Sequence, residues 1–374
     1  MKKIKLSKEK RLNMPFAEVP LESRSQIDNA GRIVALKEGN KEDEKLAKDL
    51  INKWRSAHAY PLNTFQATLR KYCGDFKEAL TAQRLKRMPT IIDKLRRYPD
   101  MKLSRMQDIG GLRAILKDMQ DVEMLAKKYK ENKKFPHELI MEKNYIKNPR
   151  DEDGYRSWHL IYKYKNKKNP MYDGLRLEIQ IRTRLQHLWA TAVETMGTFL
   201  GQALKSRQGE QIWLDFFCII SSAFAYKERM PPVPKHSNLS EIEIFKNVKE
   251  IENQIQALSK MKGLSVAIDH IKGGFCHLIV LNSLDKTVEV SSYRKNDFDK
   301  ALLDYAKKEE EAEEGKKIEP VLVVINSVNK IRQAYPNFFL DIEDFSKEVK
   351  KLIGKAEPNT LKRIFLNKAL KNFH

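Results

Sequence analysis

The sequence predicts an α+β fold in which a mixed β-sheet is flanked by helices and followed by a small C-terminal α/β module. Apolar residues recur at helical spacing over residues 40–98. Short strand patterns then alternate with helical ones over residues 108–199, and the pattern changes again after the proline-rich segment at 231–234. Helices that come first and are then interleaved with strands are typical of a mixed sheet covered on at least one face.

The N-terminal part is expected to be helical. The spacing predicts a helical stretch over residues 40–72 that is interrupted at Pro61, because proline has no backbone N–H to donate. A second helix is expected from about Leu80 to Tyr98, since Pro99 follows and the residue before a proline disfavours helix.

The central part is expected to supply the strands of the sheet. In the stretch RLEIQIRT at 176–183, apolar and polar residues alternate, which indicates a strand with one apolar and one polar face. The other expected elements are a strand in DIGGLRAIL at 108–116, a helix over 122–129, strands over 139–141 and 158–165, and a helix over 184–199.

Residues 1–230 are expected to form the main domain and residues 231–374 a second, regulatory one. Ser240 and Glu243 have the spacing of a capping box. The helix predicted after this box has apolar residues at spacings of three and four: Ile244, Val248, Ile251, Ile255 and Leu258. A hairpin, a helix and a buried strand are expected over 277–293, 297–308 and 321–327, with the acidic run at 309–317 as a solvated linker.

The composition is that of a soluble globular protein, with 41% hydrophobic and 32% charged residues. No stretch approaches the ~18 apolar residues needed to span a bilayer, and the basic start lacks the apolar core of a signal peptide. A cytoplasmic location without a membrane partner is therefore expected. The net charge of +21 favours a polyanionic partner, either nucleic acid or a phosphorylated substrate, although a merely lysine-rich soluble protein would carry the same charge.

Two carboxylates are candidates for a metal site. Asp108 precedes a Gly110-Gly111 pair that opens a strand, and Glu178 lies on the polar face of RLEIQIRT with Gln180 and Arg182. Carboxylates on adjacent strands could share one magnesium ion and leave its other positions to phosphates and water. The open alternative is a salt bridge at a solvent edge. Cys73, Cys218 and Cys276 are scattered with no paired spacing, which argues against both a disulfide framework and a zinc site.

A basic group precedes Asp108. Lys86, Thr90 and Lys94 are four residues apart, with Arg84 before them, so that on one helix they would share a face. Basic helix faces are usually just solvated, but a hydroxyl between two lysines favours a polyphosphate cradle. In the loop at 142–159, Gly154 lets the backbone turn and presents Tyr155. The ring of Tyr155 could stack on a nucleobase, or it could only pack against the protein.

Four motifs in this order resemble the synthetase domain of the RelA/SpoT family. They are R-x-K-x3-T-x3-K at 84–94, DIGGLR at 108–113, DGYRSWH at 153–159 and LEIQIRT at 177–183. The resemblance covers about residues 45–200. It implies a pyrophosphokinase that moves the β,γ-pyrophosphate of ATP onto a ribose 3′-hydroxyl.

The resemblance also implies a role for each motif residue. ATP would be held by Arg84, Lys86, Thr90, Lys94 and Arg113. Mg²⁺ would be held by Asp108 and Glu178, and Glu178 would act as the catalytic residue that takes the acceptor's 3′ proton. Tyr155 would be the second catalytic residue by stacking on the acceptor's base, among further acceptor-binding residues: Lys143, Arg150, His159, Gln180 and Arg182.

The acceptor loop departs from the PK-x-NGY pattern of the family. Arg150 replaces the lysine, Asp153 replaces the asparagine, and the loop is one residue longer. The identity of the acceptor is therefore the least transferable part of the resemblance.

The segment WRSAHAYPLNTFQATLR and the C-terminal module ending AYPNFFLD resemble CapRel, the fused toxin–antitoxin branch of toxic small alarmone synthetases. This resemblance implies the 3′ CCA end of tRNA as acceptor, restraint by a C-terminal pseudo-zinc-finger, and a phage major capsid protein as trigger. The trigger is expected to bind the hairpin or the AYPNFFLD face. Two alternatives stay open. Free guanine or adenine nucleotides could be the acceptors and yield an alarmone, or the chain could be a catalytically dead sensing module, although Asp108, Glu178 and Tyr155 are intact.

Overall fold

The computed structural model describes residues 16–199, 210–270, 273–282, 284–285, 287–316, 318–324 and 338–356. The chain divides into two compact units. The first unit comprises Met1–Lys143 and Trp158–Arg182, and the second comprises Asn144–Ser157 and Thr183–His374. These limits fall at other points of the chain than the domain boundary after residue 230, which stays a prediction.

The first unit begins with three helices, α1 (Arg24–Leu36), α2 (Lys41–Ala57) and α3 (Ala59–Cys73). The side chain of Asn40 caps α2 by accepting from two backbone amides of its first turn. The break between α2 and α3 lies at His58 and not at Pro61, where it was expected. Pro61 lies in the first turn of α3, where a backbone N–H has no helical partner to lose.

The first unit also contains a five-stranded sheet. Its strands are β1 (Leu80–Leu85), β2 (Gly110–Leu116), β3 (Glu138–Asn144), β4 (Trp158–Lys163) and β5 (Arg176–Thr183), in the spatial order β1-β2-β5-β4-β3. Helix α4 (Met88–Arg97) follows β1, and helix α5 (Met119–Glu131) follows β2. The mixed sheet with flanking helices that was predicted is thus confirmed.

The expected helix from Leu80 to Tyr98 is wrong in its first half. Leu80–Leu85 is an edge strand that pairs with β2 in antiparallel register, and only Met88–Arg97 is helical. The residues of LTAQRL include good helix formers, so local propensity favoured the wrong state. Pairing with β2, which is distant in sequence, decides the conformation of this segment.

The alternation predicted for β5 is confirmed. Leu177, Ile179 and Ile181 are fully buried on one face of the strand. The polar face carries Glu178, Gln180 and Arg182, of which Gln180 is half-buried and the other two are buried. A polar row buried to this degree requires partners within the protein or a ligand.

The second unit consists of helices and a small sheet. The helices are α6 (Arg184–Phe199), α7 (Gln211–Lys227), α8 (Glu241–Ile255), α9 (Ala257–His270), α10 (Phe298–Glu313) and α11 (Phe338–Lys355). The strands β6 (Cys276–Asn282), β7 (Thr287–Tyr293) and β8 (Ile318–Val324) form an antiparallel sheet in the order β7-β6-β8. An apolar core joins α6, α7, α8 and α11 within this unit.

Two details of the second unit differ from expectation. The capping box of Ser240 and Glu243 is present, but α8 ends at Ile255 because Gln256 adopts a left-handed conformation with φ 51°. Leu258 therefore belongs to α9. The acidic run expected to be a linker is helical as far as Glu313, because it continues α10.

Some expectations lie outside the described residues. Residues 334–337 of the AYPNFFLD face are among them, and the trigger surface stays a prediction. Within the described part of the chain, no three His, Cys, Asp or Glu side chains are grouped to hold a metal ion. The zinc-finger likeness of the C-terminal module thus also stays a prediction. No described helix is long and apolar enough to cross a membrane.

Candidate active site

Asp108 is the centre of a three-residue ionic cluster in the first unit. The ammonium groups of Lys86 and Lys94 lie 2.7 and 2.9 Å from its two carboxylate oxygens. Lys94 projects from α4, whereas Lys86 precedes that helix, in the turn after β1. The shared helix face predicted for Lys86, Thr90 and Lys94 is therefore wrong, although both lysines reach the predicted metal ligand.

The turn that carries Lys86 is held by backbone bonds. The Lys86 amide donates to the Ile109 carbonyl at 2.8 Å, and the Lys86 carbonyl accepts from the Arg55 Nε, also at 2.8 Å. Arg55 thus supports the site from α2. Sequence reasoning missed this residue because its partner is 31 positions away and the contact involves backbone.

The ionisation of the cluster follows from its burial and its charges. Burial opposes ionisation of Asp108, but the two ammonium groups outweigh it and hold the pKa of the carboxyl well below its usual range. Burial lowers the pKa of Lys86, against the attraction of Asp108. Asp108 is thus a carboxylate at neutral pH, and its charge is already neutralised by lysine.

Glu178 is held by two neutral or weakly basic partners. Its Oε1 lies 2.8 Å from Nδ1 of His159 on β4, and its Oε2 accepts from Nε2 of Gln180 at 2.7 Å. His159 and Gln180 are directly paired across β4 and β5. Burial raises the pKa of Glu178, but the interaction with His159 outweighs it and the net shift is downward.

The two carboxylates are suited to one hard cation. Glu178 lies on β5, next to β2 in the sheet, and Asp108 lies two residues before β2. The charge of Asp108 raises the pKa of Glu178, so each carboxyl lies within electrostatic reach of the other. Magnesium sites use one or two carboxylates together with substrate phosphates, and these two oxygen donors fit that pattern.

The other predicted ATP residues also belong to the first unit. Arg84 on β1 is directly opposite Gly111 on β2, and Arg113 is two residues further along β2. Because side chains alternate along a strand and cross-strand partners share a face, Arg84 and Arg113 lie on the same face of the sheet. Thr90 lies in the first turn of α4 and is half-buried.

Three predicted acceptor residues also belong to the first unit. Gln180 and Arg182 alternate with the buried apolar residues of β5 and so share the face of Glu178. Arg182 is 1% exposed, which makes it a buried cation on this face. Lys143 is exposed near the end of β3, an edge strand.

The acceptor loop, Asn144–Ser157, belongs to the second unit. Arg150 donates from Nε and Nη2 to the Asp153 carboxylate at 3.1 and 2.5 Å, and the same carboxylate accepts from the Tyr155 amide at 2.9 Å. The Tyr155 ring is half-buried, with the Arg150 guanidinium 4.5 Å from its centroid. The rings of Tyr145 and Trp189 contact it edge-on at 5.8 and 6.4 Å.

The loop is anchored on α7. The Ser221 hydroxyl donates to the Gly154 carbonyl at 2.5 Å and accepts from Arg156 Nε at 2.9 Å. The Cys218 thiol donates to the Asp151 carbonyl at 3.7 Å. Arg156 is 3% exposed, and burial lowers its pKa to about 10. These anchors could not be predicted from the sequence, because about 65 residues separate the loop from its partners.

Gly154 is required by this anchoring. Its φ is +71°, a conformation that favours glycine, and an added Cβ would lie 2.9 Å from Ser221 Cβ and 3.2 Å from Cys218 Cα. We expect Gly154→Ala to lower the free energy of unfolding by about 2–5 kcal/mol, the sum of backbone strain and overpacking. Urea unfolding followed by tryptophan fluorescence measures this change.

The matched control is Gly315→Ala. Gly315 has φ +100°, but a Cβ there would have no atom within 4 Å. Its substitution therefore introduces the backbone strain without the collision. Equal losses of stability in the two variants would show that contact with α7 does not constrain the loop.

Comparisons with known proteins agree with the motifs. Residues 83–197 match the family model described as the region found in RelA / SpoT proteins. GTP pyrophosphokinase YjbM of Bacillus subtilis is 33% identical over 110 residues, which are 29% of this chain and 51% of that protein. GTP pyrophosphokinase YwaC of the same organism is 30% identical over 117 residues, which are 30% of this chain and 54% of that protein. The chain thus spans about half the length of the curated relatives it matches.

Solved structures give a related match. The small alarmone synthetase 1 of Bacillus subtilis bound to its product pppGpp is 20% identical, with a TM-score of 0.39, over 54% of this chain and 95% of that one. The region matched by the family model contains the four motifs named above. Residues 83–197 are thus similar to the region found in RelA / SpoT proteins, which agrees with the resemblance of the motifs.

Proposed function

We propose that this protein is a pyrophosphokinase that transfers the β,γ-pyrophosphate of ATP to the 3′-hydroxyl of the CCA end of tRNA. The observation that carries the proposal is a pair of carboxylates in the first unit: half-buried Asp108, two residues before β2, with its two lysines, and buried Glu178 on the neighbouring strand β5 with His159 and Gln180. The relatives named GTP pyrophosphokinase support the reaction class.

The basic and hydroxyl side chains near Asp108 in sequence would bind ATP, the pyrophosphate donor. Lys86 and Lys94 neutralise Asp108 and can turn to the phosphates of ATP when a cation takes their place at the carboxylate. A bound Mg²⁺ would stabilise the charge that develops on the transferring group. Arg84, Thr90 and Arg113 would supply further donors to the phosphates.

The reaction is an in-line displacement at phosphorus. The acceptor's 3′ oxygen forms a bond to the β-phosphorus, and the bond from that phosphorus to the α,β-bridging oxygen breaks. The electron pair of the broken bond leaves with AMP, and the proton of the hydroxyl passes to the Glu178 carboxylate. Glu178 is ionised at neutral pH because its interaction with His159 outweighs its burial and lowers its pKa.

Transfer to tRNA would block aminoacylation, and the chain would serve as an abortive-infection toxin in the cytoplasm. The C-terminal region would restrain it until a phage capsid protein binds. The contact of α11 with α6 supports a coupling of this kind: Asp341 binds Arg184 at 2.9 Å and His187 Nε2 at 3.1 Å. Helix α6 begins directly after the strand that carries Glu178.

The acceptor test uses ATP labelled at the γ-phosphate with purified protein. Label should appear on bulk tRNA and should not appear on tRNA whose terminal ribose has been oxidised by periodate. Label on GDP or GTP in preference to tRNA would establish the second candidate, an alarmone synthetase, which the names of the relatives favour. Absence of label on every acceptor would contradict the proposed reaction.

Tyr155 provides a second test of the site. Stacking needs a planar ring, so Tyr155→Phe should keep most activity, whereas Tyr155→Leu should raise the acceptor KM by about 5- to 150-fold, equivalent to the 1–3 kcal/mol of a stacked base. Leucine keeps the apolar volume that packs near Trp189. Equal melting temperatures with unequal KM values would support stacking. Equal KM values would show that Tyr155 only packs.

A further inference from the structure

The acceptor loop differs in charge from the rest of the chain. The whole chain has a net charge of +21, but Asn144–Ser157 contains three cations and three acids and so has none: Lys147, Arg150, Arg156, Asp151, Glu152 and Asp153. Free nucleoside di- and triphosphates concentrate several negative charges beside the ribose, and proteins bind such groups with uncommitted cations.

The cations of this loop already have partners within the protein. Arg156 is buried and donates to Ser221 and to the Ile146 carbonyl. Lys147 also has an interaction partner. Arg150 makes a two-point ion pair with Asp153, whose side chain is only 7% exposed. The charge of Arg150 is therefore compensated at the position where the family pattern has a lysine.

The same pair determines which surface Tyr155 presents. The Asp153 carboxylate fixes both the Arg150 guanidinium and the Tyr155 amide, and the guanidinium lies 4.5 Å from the ring centroid. A guanidinium on an aromatic face is a stable arrangement by itself. The loop thus offers a base a platform of ring and guanidinium whose positive charge is compensated by Asp153.

We propose that the Arg150–Asp153 ion pair is a specificity determinant that selects the 3′-terminal nucleoside of an RNA chain over a free nucleoside polyphosphate. This inference rests on the proposed function and concerns its acceptor. The terminal nucleoside of RNA has one phosphodiester charge on its 5′ side, which needs no cluster of cations at the loop. The remaining charge of an RNA chain is spread along its backbone and can be met by the excess of Lys and Arg elsewhere in the chain.

The test substitutes Asp153→Asn, which keeps an oxygen for the Tyr155 amide and releases the charge of Arg150. A second variant, Arg150→Lys, keeps the cation and removes the two-point pair and the planar contact. The control is Glu152→Gln, which removes one negative charge from the same loop without touching the pair. Thermal unfolding of each variant verifies that it is folded.

Two readouts are compared for bulk tRNA and GDP. One is kcat/KM for transfer of label from ATP. The other is equilibrium binding, without ATP, of a fluorescein-labelled RNA ending in CCA and of a fluorescent GDP. We expect Asp153→Asn to lower the RNA-to-GDP ratio at least tenfold in both readouts, Arg150→Lys to lower it in the same direction, and Glu152→Gln to leave it within twofold of wild type.

The outcomes separate this inference from the proposed function. A wild-type protein that prefers GDP, or an unchanged ratio in both folded pair variants, overturns the inference while transfer itself stands. An equal shift with Glu152→Gln also overturns it, because net charge would then suffice. If no acceptor gains label but the binding ratio shifts as expected, the proposed reaction fails and the selectivity of the loop stands.

Discussion

Glu178→Gln is expected to reduce pyrophosphate transfer by at least about 10²–10³-fold, the cost of losing one group that stabilises charge or accepts a proton in the transition state. The amide has the shape of the carboxylate but neither its charge nor its basicity. Its oxygen can still accept from Gln180, and His159 can change tautomer to accept from its nitrogen. The variant should therefore remain folded, with a melting temperature close to that of wild type.

The matched control for this change is Glu138→Gln. Glu138 lies on β3 of the same sheet, with a side chain 61% exposed and only a 3.6 Å contact to Lys163. Surface pairs of this kind contribute little, so transfer and stability should both stay near wild-type values. The assignment of Glu178 is wrong if Glu178→Gln and Glu138→Gln transfer label equally well.

The features that the sequence predicted correctly are those with a local signal. The alternation along β5 follows from the two-residue period of a strand, and the cap of α8 follows from the spacing of Ser240 and Glu243. The ion pairs of Asp108 with Lys86 and Lys94 were not predicted, because the sequence assigned the lysines to phosphate and the carboxylate to magnesium. The spacing of Lys86 and Lys94 suggested one helix, whereas the turn at Lys86 is set by pairing of β1 with β2.

The features that were missed depend on contacts between distant segments. Nothing near the acceptor loop indicates that Ser221 and Cys218 hold it. The departures at Arg150 and Asp153 were visible as two separate substitutions in a pattern. That these two residues form an ion pair with each other could be seen only from the conformation of the loop.

Phe345→Ala should have the largest effect on stability, with a loss of about 3–5 kcal/mol in the free energy of unfolding, as is usual for a buried phenylalanine. Phe345 is fully buried on α11, and its ring lies 5.9 and 6.3 Å from those of Phe224 and Phe217 on α7. The cavity left by alanine would lie in the core that joins α6, α7, α8 and α11. Urea unfolding monitored by circular dichroism measures the loss.

The control for this substitution is Leu340→Ala on the same helix. Leu340 is 60% exposed, so its truncation should change the free energy of unfolding by only about 0.5 kcal/mol. Similar losses at the two positions would show that α11 is not part of the core.

The burial of Phe345 also bears on how removal of the C-terminal region affects stability and activity. A chain cut after about Lys260 would be toxic if the C-terminal region only restrains the enzyme, and inactive if that region is needed for folding. Such a cut removes Ile342, Phe345, Val349 and Leu352, all buried in the core that also contains α7, the anchor of the acceptor loop. Burial of four such side chains contributes roughly 6–12 kcal/mol, which is comparable to the whole stability of a domain. The truncated chain should therefore be unfolded in the second unit and inactive on tRNA, as measured by label transfer and circular dichroism. A folded, constitutively active truncation would contradict this expectation and would show that α11 only restrains the enzyme.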